Sequence, residues 1–293
     1  MNIQHFDIKS PDITFTNNNY WIPTWYGYSR MAKCESKERL MLSVESDAKI
    51  KSIGYITEED FERDCLLSIL ADIKKESINM FEIGAGYGRT CLSLAGTIDY
   101  EIIPVMPTNY RCLAVEGEPT HFAWLKSHFL EHNIKGETIF GAVSNKIGSC
   151  YFDISTPPEI NYGQTIDPLL NKFHIPSINN IKKMITKKSQ RIPQYTVDQL
   201  IKMYSFDSVD ILNIDVQGYE YKVIEGSVDS IENNLIDYIL IGTHNPTIND
   251  RISAKLKNKY ELVVNIYPLT TANIKGLPPV SFQDGIQLYK TLH

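Results

Sequence analysis

The sequence predicts a doubly wound α/β fold: a mainly parallel, seven-stranded sheet with helices on both faces and an antiparallel hairpin at one edge. Three observations lead there. Short apolar runs alternate with helical patterns of about 10–15 residues through most of the chain, the signature of strand–helix–strand crossovers. Two of those runs stop abruptly, Phe81-Glu82-Ile83 in Gly84-Ala85-Gly86-Tyr87-Gly88 and Leu212-Asn213-Ile214 in Asp215-Val216-Gln217-Gly218. The last two apolar runs have only a loop between them, as an antiparallel pair would. In open α/β sheets ligands bind just beyond the carboxyl ends of the strands, so the two abrupt ends are where a site is expected.

The chain divides into an N-terminal extension, residues 1–56, and a main domain, residues 57–293. The extension is rich in Asn, Tyr, Trp and Pro and has no sustained period. Its crowded aromatics Trp21, Trp25, Tyr26 and Tyr28 serve either to pack it onto the main domain or to line a sugar or aryl pocket. Thr57-Glu58-Glu59-Asp60 reads as a helix start, a capping hydroxyl followed by acids, and Phe61, Cys65, Leu66, Ile69 and Leu70 supply the apolar stripe. Strands follow at 78–83, 112–115 and 138–143, with helices at 89–95 and 119–132 between them and a short extra strand at 150–154. The second half gives helix 197–203, strand 209–216, helix 219–231, strand 238–243 and helix 249–258, then the closing strands 260–267 and 286–292. The alternation is interrupted at 155–193, where five prolines fall, and an insertion of that length is a candidate lid.

Composition narrows the setting. The 293 residues are 43% hydrophobic and 22% charged, ordinary for a soluble domain large enough to build its own core. No run approaches the ~18 apolar residues of a membrane helix, and the N-terminus lacks a signal-peptide pattern. Five scattered cysteines without paired spacing read as free thiols, which places the protein in the cytoplasm. A net charge of −6 argues against a nucleic-acid partner, whose phosphates call for clustered cations. One local basic cluster, Lys182, Lys183, Lys187, Lys188 and Arg191, is either a solvated face or a contact to an anionic substrate group.

Gly84, Gly86 and Gly88 let the backbone turn tightly and approach a ligand. Their spacing is GxGxG rather than the GxGxxG of the dinucleotide fingerprint. Glu82 just before them either orients the loop or meets a cationic amino group. The next strand ends in Val115-Glu116-Gly117-Glu118-Pro119, and a carboxylate at such an end can accept both hydroxyls of a ribose. Together the two strand ends point to a nucleoside-containing cofactor.

These residues carry a resemblance. Phe81 to Gly88 resembles motif I of the class I S-adenosylmethionine-dependent methyltransferases, and Ala114-Val115-Glu116-Gly117-Glu118-Pro119 resembles their ribose-binding strand end. Gly141-Ala142-Val143-Ser144, Thr196-Val197-Asp198-Gln199-Leu200, Asp210 to Glu220 and Val223-Ile224-Glu225-Gly226-Ser227 resemble the FkbM family of those enzymes, over roughly residues 75–265 in all. The resemblance implies a Rossmann-like sheet, S-adenosyl-L-methionine as cofactor, and methylation of a hydroxyl on a sugar, glycan precursor or other small molecule. It also implies that Ala142, Val143 and Ser144 flank the adenine, while Gly84, Ala85, Gly86, Tyr87 and Gly88 face the methionine part. Two positions depart from the family, which commonly has Asp at Glu82 and Lys at Asn213. The second leaves any charge pairing near Asp215 an open question.

Methyl transfer to oxygen requires the acceptor hydroxyl to be held in line and its proton taken up. Asp215 and His244, at the ends of neighbouring predicted strands, are the candidate catalytic residues, and Asp215 also meets the donor side. Histidine titrates near neutrality, as a base should. The alternative is that the same pair holds a divalent metal that acidifies the hydroxyl. Tyr162, Gln164 and Gln217 are candidate substrate contacts. His128-Phe129-Leu130-Glu131-His132 matches a zinc-peptidase string but belongs to an ordinary crossover helix. The competing functions are a nicotinamide-dependent oxidoreductase and a non-catalytic nucleoside-binding module on the same sheet. Nothing in the sequence fixes the oligomeric state.

Overall fold

The computed structural model describes residues 1–6, 8, 21–24, 26, 28–31, 57–154, 157–166, 189–273 and 279–292. A short ribbon, β1 (Trp21–Pro23) and β2 (Ser29–Met31), precedes α1 (Glu58–Asp72), β3 (Ser77–Ile83), α2 (Arg89–Asp99), β4 (Asn109–Glu116), α3 (Pro119–Glu131) and β5 (Gly136–Phe140). Next come β6 (Ala142–Val143), β7 (Gly148–Asp153), β8 (Ser189–Tyr195), α4 (Val197–Met203) and β9 (Val209–Ile214). Then follow α5 (Glu220–Glu225), α6 (Val228–Glu232), β10 (Ile236–Thr243), α7 (Pro246–Leu256), β11 (Tyr260–Ile266), β12 (Thr270–Ala272), β13 (Val280–Phe282) and β14 (Gly285–Thr291).

The expected sheet is present. Seven strands run in the order β11-β14-β10-β9-β3-β4-β5, with β10, β9, β3, β4 and β5 mutually parallel. The closing pair is antiparallel as expected, but β14 inserts between β11 and β10 so that β11 takes the edge. Chain direction reverses its march across the sheet between β3 and β9: β4 and β5 lie to one side, β10 to the other. That switch point leaves a crevice at the carboxyl ends of β3 and β9.

Period-two alternation along the strands divides the core between two faces. On β3, Ile78 and Met80 join α1, α2 and α3 on one face, while Phe81 and Ile83 join α4 to α7 on the other. The start of α1 is fixed as its sequence predicts: Thr57 Oγ1 accepts from Asp60 N at 3.1 Å while Asp60 Oδ2 accepts from Thr57 N at 3.2 Å. Tyr26 and Tyr28 are buried against α2, where the Tyr28 hydroxyl donates to Asp99 Oδ2 at 2.5 Å. Trp25 lies outside the described residues, as do Pro168, Pro176, Lys182, Lys183, Lys187 and Lys188.

Two long elements of the sequence reading are each divided. The run 138–143 ends in the main sheet at Phe140. Gly141 then adopts φ +155, and Ala142–Val143 pair with β8 in a separate three-stranded sheet. A side chain at Gly141 would meet the Tyr195 ring at 2.6 Å, so the crossing depends on glycine. The helix expected over 219–231 breaks into α5 and α6 at Gly226-Ser227, because Gly226 presses against the Ser144 carbonyl; a Cβ there would lie 2.1 Å from it. Asp198 then caps α6 through Asp229 N and Ser230 N at 3.1 and 2.9 Å. Residues 189–193 of the proline-rich insertion begin β8, and β12 with β13 forms a small ribbon inside the loop before β14.

Candidate functional site

The glycine loop is clipped to its neighbouring strand before any ligand is considered. Gly84 N and Ala85 N both donate to Val115 O, at 3.1 and 2.9 Å. Gly84 (φ +79) is pressed against the end of β9, since an added Cβ would come 1.9 Å from the Asp215 carbonyl oxygen. Asp215 N in turn donates to Ile83 O at 2.9 Å. The two strand ends singled out in the sequence are therefore bolted together by backbone.

Between them opens a cleft of about 680 Å³, its solvent-open mouth included, and it gathers most of the expected site. Gly84, Gly86, Glu116 and Gly117 form its floor and one wall; Ala142 and Val143 bound it on the small-sheet side. Asp215, Gln217, Tyr162 and Gln164 complete the rim. Eight lining residues were not among the candidate site residues: Val115, His121, Gly141, Phe152, Thr165, Ile166, Val216 and Tyr219. Phe152 and Ile166 meet through an isolated bridge between β7 and the insertion, a tertiary pairing with no local signal.

Glu116 is almost wholly buried, and each of its oxygens takes one backbone donor: Oε2 from Gly86 N at 2.7 Å, Oε1 from Glu118 N at 2.6 Å. Burial pushes its carboxyl up to about 7, against the lowering pull of those donors. The lone pairs that backbone donors leave over are the capacity a ribose diol would use. The glycine-walled space, the carboxylate beside it and the lining residues thus fit a nucleoside-bearing donor.

Several expected cofactor residues stand behind the lining rather than on it. Glu82 is buried and accepts from Thr90 N and Cys91 N, both at 2.9 Å, so it anchors the start of α2. Those contacts tie it to the helix that follows the glycine loop. Ala85 is buried, and Gly88 (φ +90) gives room to Leu125 of α3, whose methyl would lie 2.6 Å from a Cβ. Tyr87 packs edge-on to His128 and Tyr162. Ser144 is buried beneath the cleft, accepting from the Gln194 amide at 2.5 Å.

One described stretch of the insertion, 157–166, lends Tyr162, Gln164, Thr165 and Ile166 to the cleft lining. The Tyr162 ring stacks on His121 at 4.2 Å and 10°, and its edge lies 3.4 Å from where a Cβ on Gly86 would be. His121 is held by Pro158 O, 2.9 Å from Nε2. His128 and His132 of the zinc-like string serve packing: His128 Nδ1 donates to Tyr87 O at 2.8 Å and His132 stacks on Tyr28.

At the far end of the cleft Asp215 projects with about half of its side chain exposed. Gly242 of β10 makes room for it, a Cβ there lying 3.4 Å from Asp215 Oδ1. His244 Nε2 is 3.6 Å from the same oxygen and 3.8 Å from Asp284 Oδ2. On its other side His244 Nδ1 is 2.6 Å from Glu220 Oε1, whose side chain is completely buried. Burial disfavours charge on this imidazole, but the Glu220 hydrogen bond and the Asp215, Glu220 and Asp284 charges outweigh it and push the ring up to about 9. Held up in this way by its carboxylate neighbours, the ring is set to balance charge at this end of the site, whereas the sequence suggested a base titrating near neutrality. Asp215 is raised above the ordinary carboxylate range, chiefly because the cleft desolvates it, against the lowering charges of His244 and Arg89. Those two cations answer the question left by Asn213, whose own amide donates to Thr90 Oγ1 at 3.3 Å. Both His244 nitrogens have protein partners, Gln217 Nε2 lying 2.8 Å from Nε2. Among the described residues no group of three or more His, Cys, Asp or Glu is arranged to hold a metal, so the metal alternative has no set of ligands here.

Comparison with known proteins supplies the family. A family model described as "Methyltransferase FkbM domain" matches residues 16–259. A protein of Jannaschia sp. (strain CCS1), described as "Putative methyltransferase", is 24% identical over 221 residues, 74% of each chain. Among solved structures, precorrin-6y C5,15-methyltransferase from Geobacter metallireducens GS-15 matches at 11% identity with a TM-score of 0.39, over 78% of this chain and 87% of that one. TrmK of M. capricolum in complex with S-adenosyl-homocysteine matches at 7% identity with a TM-score of 0.38, over 77% and 67%. At such scores the two structures carry nothing about donor or acceptor.

Proposed function

This chain belongs to the FkbM methyltransferase family, and from that premise we propose that it is an S-adenosylmethionine-dependent O-methyltransferase acting on a hydroxyl of a sugar, glycan precursor or other small molecule. The observation that carries the reading is the meeting of Glu116 and Asp215 on one glycine-walled cleft, each at a strand end on either side of the switch point. Glu116 binds the ribose, the Gly84–Gly88 turn lies along the methionine part, and Ala142 with Val143 borders the adenine. When bound, the donor supplies an activated methyl group.

Everything else is the work of this chain. Asp215, half exposed and raised above the ordinary carboxylate range by its surroundings, takes the proton of the acceptor hydroxyl. His244 balances and orients that carboxylate. Tyr162, Gln164 and Gln217 face the acceptor, and the 157–166 segment keeps water from the reacting atoms. The net charge of −6 and the carboxylates around Asp215 favour a neutral, hydroxyl-rich acceptor over a nucleic acid. Buried free thiols at Cys65, Cys91, Cys112 and Cys150 suit a reducing cytoplasm. Among the described residues no helix is long and apolar enough to cross a membrane.

Calorimetric titration tests the reading. The protein is expected to bind S-adenosylmethionine and S-adenosylhomocysteine and to leave NAD unbound. Binding of NAD in their place would return the oxidoreductase alternative. Methyl-labelled donor with a panel of sugars, glycan precursors and small nucleic acids then sorts the acceptors, and label on the nucleic acid alone would overturn the acceptor class.

A further inference from the structure

The completely buried carboxylate of Glu220 is the feature that donor binding leaves unexplained. Its Oε1 accepts from Gly218 N at 3.0 Å and sits 2.6 Å from His244 Nδ1, while Oε2 is buried without a hydrogen-bond partner. A carboxylate removed from water is costly, and a half-satisfied one more so, unless an adjacent cation offsets it. Starting the short α5 helix needs no such group, because Ser, Asp or Asn can hold a helix start from a solvated position. The adjacent cation is His244, held from the cleft side by Gln217, Asp215 and Asp284.

We infer that Glu220 is a positioning residue of this site: its buried carboxylate fixes the His244 ring, and Nε2 of that ring sets how Gln217 and Asp215 face the acceptor end of the cleft. The inference rests on the methyl-transfer reading for what the cleft does, but on side-chain geometry alone for what Glu220 does. With Nδ1–H committed to Glu220, Nε2 is the ring atom left for the cleft. A neutral ring accepts there from the Gln217 amide nitrogen; a charged ring donates, and the amide turns to present its oxygen. The orientation of a cleft-lining side chain is thereby tied to a residue that never touches the cleft. Three charged groups face the ring from the elements packed around it, Glu220 at the start of α5, Asp215 beyond β9 and Asp284 in the β13–β14 turn, and Arg89 of α2 acts in turn on Asp215.

The test is nitrogen-15 spectroscopy of the labelled full-length chain, with the His244 signals assigned by their loss in His244→Asn. Wild-type protein should show Nδ1 bonded to hydrogen at every pH at which it folds, and the Gln217 side-chain amide should shift in step with the ring's titration. In Glu220→Gln the ring's midpoint should fall by about one pH unit or more, and the Gln217 amide should lose that coupling. Glu220→Asp, which keeps the charge with a shorter reach, should fall between them. S-adenosylhomocysteine affinity, read by calorimetry, should change less than about twofold in either variant, because donor contacts are elsewhere. A wild-type ring protonated on Nε2 with Nδ1 bare overturns the inference with no variant needed, so a misfolded Glu220→Gln does not protect it. An unchanged midpoint in folded Glu220→Gln overturns it equally. Failure of the wild-type protein to take up S-adenosylhomocysteine overturns the methyl-transfer reading, and is told apart because the ring signals are read without any ligand.

Discussion

The carbonyl oxygen of Asp215 occupies the space in which a side chain at Gly84 would begin, 1.9 Å from the ideal Cβ position. One glycine thus joins the donor-binding loop to the strand end that faces the acceptor. Gly84→Ala should strain the backbone by about 1–2 kcal/mol through its positive φ alone, before the collision with β9 is counted. The expected result is a lower melting temperature together with loss of S-adenosylhomocysteine binding. Retention of both would mean that the loop and β9 are less tightly joined than these contacts require.

Glu116 should govern donor affinity. Glu116→Ala is expected to weaken S-adenosylhomocysteine by about 1.5–3 kcal/mol, the loss of charged hydrogen bonds. The carboxyl is raised to about 7 in the free protein, and hydrogen bonds from a diol would stabilise its ionised form. Wild-type affinity should accordingly fall as pH drops below about 7, with proton release on binding, and Glu116→Gln should flatten that dependence. Calorimetry in buffers of different ionisation enthalpy measures both quantities.

His244 makes a stability prediction whose sign follows from its partners. The folded-state value, about 9, lies above the ordinary 6.5, so its stabilisation is fully present below about 6.5 and is lost as pH rises through about 9. Melting temperature should decline across that window in the wild type and decline less in His244→Asn. A parallel decline in both proteins would show that the ring is not the titrating group.

Turnover, measured with an acceptor from the screen, should separate Asp215 from His244. Asp215→Asn is expected to cost about 10²–10⁴-fold, as for loss of a general base. His244→Ala should also lower turnover, and donor affinity should stay within a few-fold in both. Near-normal rates in both folded variants would move the proton acceptor elsewhere in the cleft.

The N-terminal extension should stabilise rather than catalyse, to the extent that Tyr26 and Tyr28 represent it. Tyr28→Phe removes the hydroxyl that donates to Asp99, for about 1 kcal/mol. Gly96→Ala should cost more, since a Cβ there would lie 2.0 Å from the Tyr26 carbonyl oxygen. Denaturant unfolding reads both. A large fall in turnover without a fall in stability would instead bring this segment into the acceptor site.

The sheet was legible in the sequence because each of its strands is a compact apolar run closed by a turn or a cap, a local signal that tertiary structure had no reason to override. Phe81 to Gly88 and Leu212 to Gly218 also revealed the site, since a strand that ends in glycine or a carboxylate shows its geometry one residue at a time. What was not legible depends on contacts between distant segments. Nothing local to Gly141 or Gly226 announces that Tyr195 or the Ser144 carbonyl will press on it and split a strand and a helix. Nothing near residue 162 places its ring on His121.

The same division runs through the chemistry. The sequence by itself determined which residues stand at the switch point, because strand periodicity fixes where Glu116, Asp215 and His244 must fall. Their protonation was decided only by tertiary structure. Charge on an imidazole or a carboxylate depends on desolvation and on neighbours within a few ångströms, and those neighbours, Glu220 from α5 and Asp284 from the β13–β14 turn, reach His244 only when the chain is folded.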